Sequence, residues 1–210
     1  MSAALKTLTA DECDRLLNAL RVSSGTSSQC RRGIRNYTLA LVMLDAGLRV
    51  SEATGLEVTD LWFNNAPVTS LIVRPEIAKN HRERSIPVSP RLKQALEDFF
   101  KHGLWLSGPE SNRKVFCSGH PPRQITRRQV HRIVTAASLR SLGRSVHPHI
   151  LRHTFASRLM RVTSMRTVQE LLGHMNITST QIYTHPNEQD KHNAIENMDR
   201  SEESDNPTPY

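Results

Sequence analysis

Helix-type spacing of apolar residues recurs along most of this chain, and two short stretches of strand-type sequence interrupt it, residues 71–88 and the shorter KVFCS at 114–118. Residues 36–47 and 147–160 carry apolar side chains at three- and four-residue intervals, the spacing of one helix face. Between Leu71 and Val88, by contrast, β-branched clusters flank the polar turn KNHRER, a pattern typical of two paired strands. The sequence therefore predicts an α+β fold that is mainly helical, with a small antiparallel β-sheet or hairpin.

Local signals set the expected helix boundaries. Residues 9–12, Thr-Ala-Asp-Glu, form a capping box that predicts the start of a first helix. Residues 22–33 are small and polar, so a loop is expected there. A second helix is predicted from Asn36 to Gly47, because a glycine commonly follows the end of a helix.

Charge is distributed unevenly along the chain. The net charge is +8, yet residues 188–210 contain seven acidic and two basic side chains, so the positive charge resides in residues 1–187. This positive charge favours binding to a polyanion, because each phosphate that a Lys or Arg neutralises releases counterions. The alternative is a basic surface that is exposed to solvent and binds no partner. Residues 1–186 are expected to form one domain, and residues 187–210 an acidic segment with a weak helix followed by disorder.

Several classes of protein are disfavoured. The longest apolar run, residues 38–48, contains Asp45 and is too short to span a bilayer, and the N-terminus has no signal-peptide pattern, so a cytoplasmic protein is expected. The three cysteines are too widely spaced for a CxxC pair. The chain has no GxxxxGK[ST] or GxGxxG motif, so no nucleotide or other cofactor is expected.

The helix predicted over residues 147–160 carries charged side chains on one side. His149, Arg152 and His153 stand at i, i+3 and i+4 and project together. Zinc binding is disfavoured because Ile150 replaces the glutamate of a zinc hydrolase and an arginine between the ligands repels a cation. Anion handling with proton transfer suits these residue types, and a structural role with bonds to backbone carbonyls remains open.

The chain contains five short motifs, one of which lies in this helix. They are GLRVSE at 47–52, IAKNHRERSIPV at 77–88, HILRH at 149–153, LLGH at 171–174 and IYTH at 182–185. In these motifs and their order, the chain resembles the tyrosine recombinases, also called phage-type integrases, over residues 9–186.

The resemblance implies a set of catalytic residues. Matched by position, they are Arg49, Lys79, His149, Arg152, His174 and Tyr183. Breaking a phosphodiester without a metal requires positive charge around the non-bridging oxygens as the pentacoordinate state forms. Arg49, Arg152 and His174 are expected to supply that charge.

The same resemblance implies roles in proton transfer. Tyr183 is the expected nucleophile, His149 its proton acceptor, and Lys79 the acid that protonates the departing 5′ oxygen. The expected product is a 3′-phosphotyrosyl enzyme and a free 5′ hydroxyl. The residues alone also favour Tyr183, because Tyr37 lies in an apolar helix and Tyr210 ends the acidic segment, although a buried structural tyrosine is the alternative.

Further charged residues are assigned supporting roles. Glu52 is expected to orient arginines or cap a helix, and His153 to support the site from behind the catalytic residues. Some arginines are expected to line a DNA groove, each being about equally compatible with a solvated face. They are Arg82, Arg84, Arg123, Arg127, Arg128 and Arg132.

The chain departs from most family members in its length. Most members place a helical core-binding domain before the catalytic domain. Here residues 1–8 are expected to lead directly into the catalytic domain, in which the chain resembles the short fimbrial switch invertases. The expected function is site-specific recombination of DNA, as inversion or as integration and excision of a mobile element. The expected partners are double-stranded DNA, a homotetramer on that DNA and an accessory DNA-binding protein. A type IB topoisomerase and a non-catalytic DNA-binding regulator are the alternatives.

Overall fold

The computed structural model describes residues 7–22, 24–103, 113–119 and 121–173. The helices in this part of the chain are α1 Ala10–Leu20, α2 Ser27–Leu44, α3 Val50–Gly55, α4 Val58–Leu61, α5 Pro90–Asp98, α6 Arg127–Leu142, α7 Pro148–Met160 and α8 Met165–Leu172. A π-helical turn, Phe99–Gly103, follows α5. The strands are β1 Trp62–Phe63, β2 Ala66–Pro67, β3 Ser70–Val73, β4 Arg84–Pro87, β5 Cys117–Ser118 and β6 Arg123–Gln124. The prediction of a mainly helical α+β fold with small antiparallel sheets is confirmed.

The strands form three antiparallel pairs within the described ranges: β1 with β2, β3 with β4, and β5 with β6. In the predicted hairpin, Ser70 pairs with Pro87 and Val73 pairs with Arg84. Side chains alternate across it, so that Leu71 and Ile86 are buried while their neighbours face outward. The loop between β3 and β4, residues 74–83, therefore leaves the core from a fixed base.

Helix α2 begins earlier than the sequence pattern indicated. The loop prediction for residues 22–33 is wrong from Ser27 onward, because Thr26 and Gln29 form a capping box: Thr26 Oγ1 accepts from the Gln29 amide at 3.3 Å and Gln29 Oε1 accepts from the Thr26 amide at 2.7 Å. Gly33 lies inside the helix where the backbone of Val22 passes close by, since a Cβ would lie 2.5 Å from the Val22 nitrogen. The glycine therefore allows the close packing of Val22 against α2.

Helix α2 is the centre of the core. Every residue from 38 to 44 is buried, and the helix packs against α1, α5 and α7. Helix α2 ends at Leu44, and the turn after it leads directly into α3. No helix in the described ranges is long and apolar enough to cross a membrane. Residues 187–210, predicted to be an acidic segment, lie outside those ranges.

Candidate active site

Arg49 lies at the N-terminal end of α3, just after the turn that ends α2. Gly47 forms this turn with a φ of 63°, and a Cβ there would lie 2.3 Å from Phe155 Cδ1, so only glycine fits. The Arg49 amide donates a hydrogen bond to Glu52 Oε2 at 2.8 Å. The guanidinium Nη1 donates to Glu52 Oε1 at 2.9 Å. The side chain of Arg49 is thereby fixed at the edge of the protein, 20% exposed.

Arg152 comes from the first half of α7 and is almost completely buried, with 1% of its side chain exposed. It donates hydrogen bonds to the carbonyl of Gly47 and, at 2.7 Å, to the carbonyl of Leu172. Its Nη1 atom also lies 3.8 Å from Glu52 Oε2. Arg49 and Arg152, which are distant in sequence, therefore meet at one carboxylate. Hydrogen bonds to backbone carbonyls are the structural role that the sequence also allowed for Arg152. They orient the guanidinium group without removing its charge.

Arg84 is a third guanidinium at the same carboxylate. It was predicted to contact DNA, but the structure buries its side chain, of which 7% is exposed. Its Nη2 and Nη1 atoms donate to the two oxygens of Glu52 at 2.7 and 3.2 Å, and its Nε donates to the Leu171 carbonyl at 3.0 Å. Arg84 thus connects β4 to α3 and α8 from inside the protein, and it also lines the cavity that Arg49 and Lys79 share. Its contact with DNA stays a prediction.

Glu52 is the centre of this arrangement and is fully buried. Burial by itself raises the pKa of its carboxyl group. The hydrogen bond and charge of Arg84, followed by the Arg49 amide and the Arg152 charge, more than offset that effect, so the pKa is lowered from the ordinary glutamate value. Glu52 is therefore ionised at neutral pH, and one negative charge faces three positive ones. The excess positive charge suits an anion such as a phosphate.

The two histidines of α7 lie against each other. The ring centroids of His149 and His153 are 4.1 Å apart in an edge-to-face arrangement, and His153 is 5% exposed whereas the His149 ring is accessible to solvent. Partial burial, and then the charges of Arg152 and Arg49, lower the pKa of His149. His149 is therefore neutral at neutral pH, the form that can accept a proton.

Lys79 lies in the loop between β3 and β4, at a cavity of about 590 Å³. Its side chain is exposed, and Arg49 and Arg82 line the same cavity. The structure thus brings Arg49, Lys79 and Arg82 to one opening, and Glu52 links Arg49 to the buried Arg152. The cavity is bounded on its other side by α8 and Gly173.

The remaining predicted DNA-contacting arginines lie on a separate surface. Arg123 is the first residue of β6, and Arg127, Arg128 and Arg132 lie on the first turns of α6; all four are exposed. Thr126 caps this helix through the Gln129 amide at 3.2 Å. DNA contact by these residues stays a prediction.

Two of the expected catalytic residues, His174 and Tyr183, lie outside the described residues. Their assignment rests on the motifs alone. Within the described part of the chain, no group of three or more His, Cys, Asp or Glu side chains is placed to hold a metal ion.

Sequence reasoning missed the groups that hold the catalytic candidates in place. The carbonyls of Gly47 and Leu172 accept the Arg152 hydrogen bonds, and Asn80 donates through Nδ2 to the Gly173 carbonyl at 3.0 Å. Backbone acceptors carry no side-chain signal that a sequence could show. Asn80 stands beside Lys79, which was the available signal for it.

Comparison with known proteins identifies the sequences and structures that the chain is similar to. A family model described as the phage integrase family matches residues 6–190. A tyrosine recombinase XerD of Brucella suis biovar 1 (strain 1330) is 33% identical over 198 residues, covering 90% of this chain and 62% of the relative. A tyrosine recombinase XerC of Pseudomonas syringae pv. tomato (strain ATCC BAA-871 / DC3000) is 39% identical over 152 residues, covering 72% of this chain and 48% of the relative. The chain thus spans about half to three fifths of these proteins.

Solved structures share the fold. A crystal structure of XerA recombinase superposes with a TM-score of 0.71 at 23% identity, covering 92% of this chain and 63% of that one. A Tn1549 transposon integrase in complex with a circular intermediate DNA gives a TM-score of 0.69 at 20% identity, covering 93% and 67% respectively. At these identities the likeness concerns the fold alone.

Proposed function

Because the chain belongs to the phage integrase family, we propose that it catalyses site-specific recombination of DNA, cutting and rejoining strands through a 3′-phosphotyrosine at Tyr183. One observation carries the proposal. Arg49 and Arg152 meet at Glu52, next to a cavity that Lys79 lines. An anion in that cavity is therefore beside the Arg49 guanidinium and the Lys79 ammonium group, while Arg152 is held at the same carboxylate as Arg49.

The proposed reaction is a transesterification at phosphorus. The phenol oxygen of Tyr183 attacks the phosphorus atom, its proton passes to His149, and a tyrosyl P–O bond forms. As the P–O5′ bond breaks, Lys79 transfers a proton to the 5′ oxygen. The charges of Arg49 and Arg152 stabilise the pentacoordinate state, so no metal is required. Rejoining runs the same steps in reverse with a new 5′ hydroxyl.

The substrate in this proposal is double-stranded DNA. Among the solved structures that share the fold are a transposon integrase with circular intermediate DNA and a XerH recombinase bound to its difH substrate. By extension, the outcome is inversion of a DNA segment or integration and excision of a mobile element. A homotetramer on DNA, an accessory DNA-binding protein and a cytoplasmic location belong to the same proposal.

The test is covalent capture on a DNA duplex nicked next to the cleavage point, from which the short 5′-hydroxyl fragment diffuses away. A library of such duplexes from the chain's host genome serves as substrate. With EDTA present, the native protein is expected to form an adduct that survives denaturing electrophoresis, and Tyr183→Phe is expected to form none.

Tyr37→Phe is the matched control, because Tyr37 lies in α2 against Arg21, 5.2 Å from its ring centroid, away from the site. It is expected to form adduct like the native protein. An adduct with Tyr183→Phe, or none with the native protein, contradicts the proposal. Relaxation of supercoiled DNA without strand exchange between two sites favours a topoisomerase instead.

The pH dependence of adduct formation tests the role of His149. Because burial and two arginines lower its pKa, the single-turnover rate is expected to fall on the acid side with a midpoint below the ordinary histidine value of about 6.5. His149→Gln is expected to remove this acid limb and to lower the rate about 100-fold or more. His102→Gln, on the exposed π-helical turn, serves as the control. A midpoint above about 6.5, or an acid limb that persists in His149→Gln, contradicts the assignment.

A further inference from the structure

The loop that carries Lys79 is held at its base, whereas its tip has few contacts with the described residues. Ile77 packs over Gly55 of α3, where a Cβ would lie 2.7 Å from Ile77 Cγ2, and Ala78 is 5% exposed. The amide of Ala78 donates to the Arg74 carbonyl at 3.0 Å. At the other end, Arg84 is fixed to Glu52 at 2.7 Å.

Between these anchors, residues 79–83 form the tip, and only Asn80 turns inward. Lys79, His81, Arg82 and Glu83 are exposed, whereas Asn80 is half-buried. Its Nδ2 atom donates to the Gly173 carbonyl at 3.0 Å. Gly173 is the residue after α8, with a left-handed φ of 62°, so the bond from Asn80 joins the loop to the end of that helix.

We infer that Asn80 is a positioning residue, whose hydrogen bond to the Gly173 carbonyl holds the loop so that the Lys79 ammonium faces the cavity beside Arg49. The inference rests on the proposed function, in which Lys79 protonates the 5′ oxygen. Without the bond, the loop tip has no described side-chain anchor between Ala78 and Arg84, and the ammonium group spends most of its time away from the leaving oxygen. Proton donation then slows while phosphate binding and nucleophilic attack are unchanged, because Arg49 is held by Glu52, and Arg152 by Glu52 and the carbonyls of Gly47 and Leu172.

The test compares two nicked duplexes with the cleavage sequence, one with the natural oxygen and one with sulfur at the bridging 5′ position. When the P–O5′ bond breaks, the alkoxide needs a proton, whereas a thiolate leaves without one. A residue that acts through the general acid therefore matters for the oxygen duplex only. Single-turnover rate constants are measured with protein in excess, so an inactive fraction of a variant does not enter the value.

Asn80→Ala removes the donor, and Asn80→Asp keeps the size of the side chain but cannot donate to a carbonyl. Both are expected to lower the rate on the oxygen duplex about 10- to 100-fold and to stay within about threefold of the native rate on the sulfur duplex. Lys79→Ala provides the benchmark for full loss of the acid. Glu76→Gln, in the same loop and 70% exposed, is expected to match the native protein on both duplexes.

Equal slowing of the Asn80 variants on both duplexes overturns the inference, because it indicates that Asn80 affects folding or phosphate binding instead of proton donation. Native rates on the oxygen duplex overturn it as well. A native protein that forms no adduct with either duplex overturns the proposed function itself, an outcome that the native protein alone reveals before any variant is compared.

Discussion

Replacing Arg152 with lysine is expected to lower the single-turnover rate of adduct formation about 100- to 1,000-fold, the usual effect of losing one fixed donor to a developing phosphate charge. Lysine keeps the positive charge, so the prediction concerns geometry. Arg152 donates to two carbonyls on different elements, Gly47 before α3 and Leu172 at the end of α8. A single ammonium group on a flexible stem cannot span both and still face a phosphate.

The matched control is Arg161→Lys, which makes the same change at an exposed position just after α7. It is expected to leave the rate and the melting temperature unchanged. Binding of the uncleaved duplex is measured alongside, and Arg152→Lys is expected to weaken it far less than it slows cleavage, because catalytic charge stabilisation acts mainly in the transition state. Native-like cleavage by Arg152→Lys contradicts the assigned role.

The elements with strong local signals were predicted correctly from the sequence. Helix α1 begins behind the capping box at residues 9–12, and the strand pair appears where β-branched residues flank a polar turn. The start of α2 was missed because Ser and Gly around Thr26 concealed a second capping box of the same kind. The small polar composition of this stretch indicated a loop, whereas the three-residue spacing of Thr26 and Gln29 indicated the start of a helix, and the spacing was correct.

The interior of the site was less predictable, because burial of charge depends on partners distant in sequence. Strand alternation in β4 places Arg84 on the same face as the buried Ile86, so its inward direction was available from the pattern. The partner that makes this burial tolerable, Glu52, comes from another element. Likewise α7 was expected to bury one apolar face, whereas all residues from 151 to 156 are buried. Only the assembled fold shows that Arg152 enters the core and has acceptors there.

Replacing Glu52 with glutamine is expected to lower the free energy of unfolding by about 3–5 kcal/mol, because three guanidinium groups lose their shared buried counter-charge. The pKa of Glu52 is lower in the folded chain than its ordinary value. Its contribution is therefore complete above about pH 4.3 and is lost as the pH falls through the lowered folded value. Urea denaturation at pH values from 7 downward is expected to show that the native chain has the higher free energy of unfolding at neutral pH and that its difference from Glu52→Gln disappears in acid.

Glu76→Gln is the control, because Glu76 is exposed and lies 3.9 Å from Arg74. It is expected to change the free energy of unfolding by less than about 0.5 kcal/mol. Equal stability of Glu52→Gln and the native chain at pH 7 contradicts the central role of this carboxylate. If Glu52→Gln loses stability but still forms the adduct, Glu52 stabilises the fold and is not needed to orient Arg49 and Arg152 for catalysis.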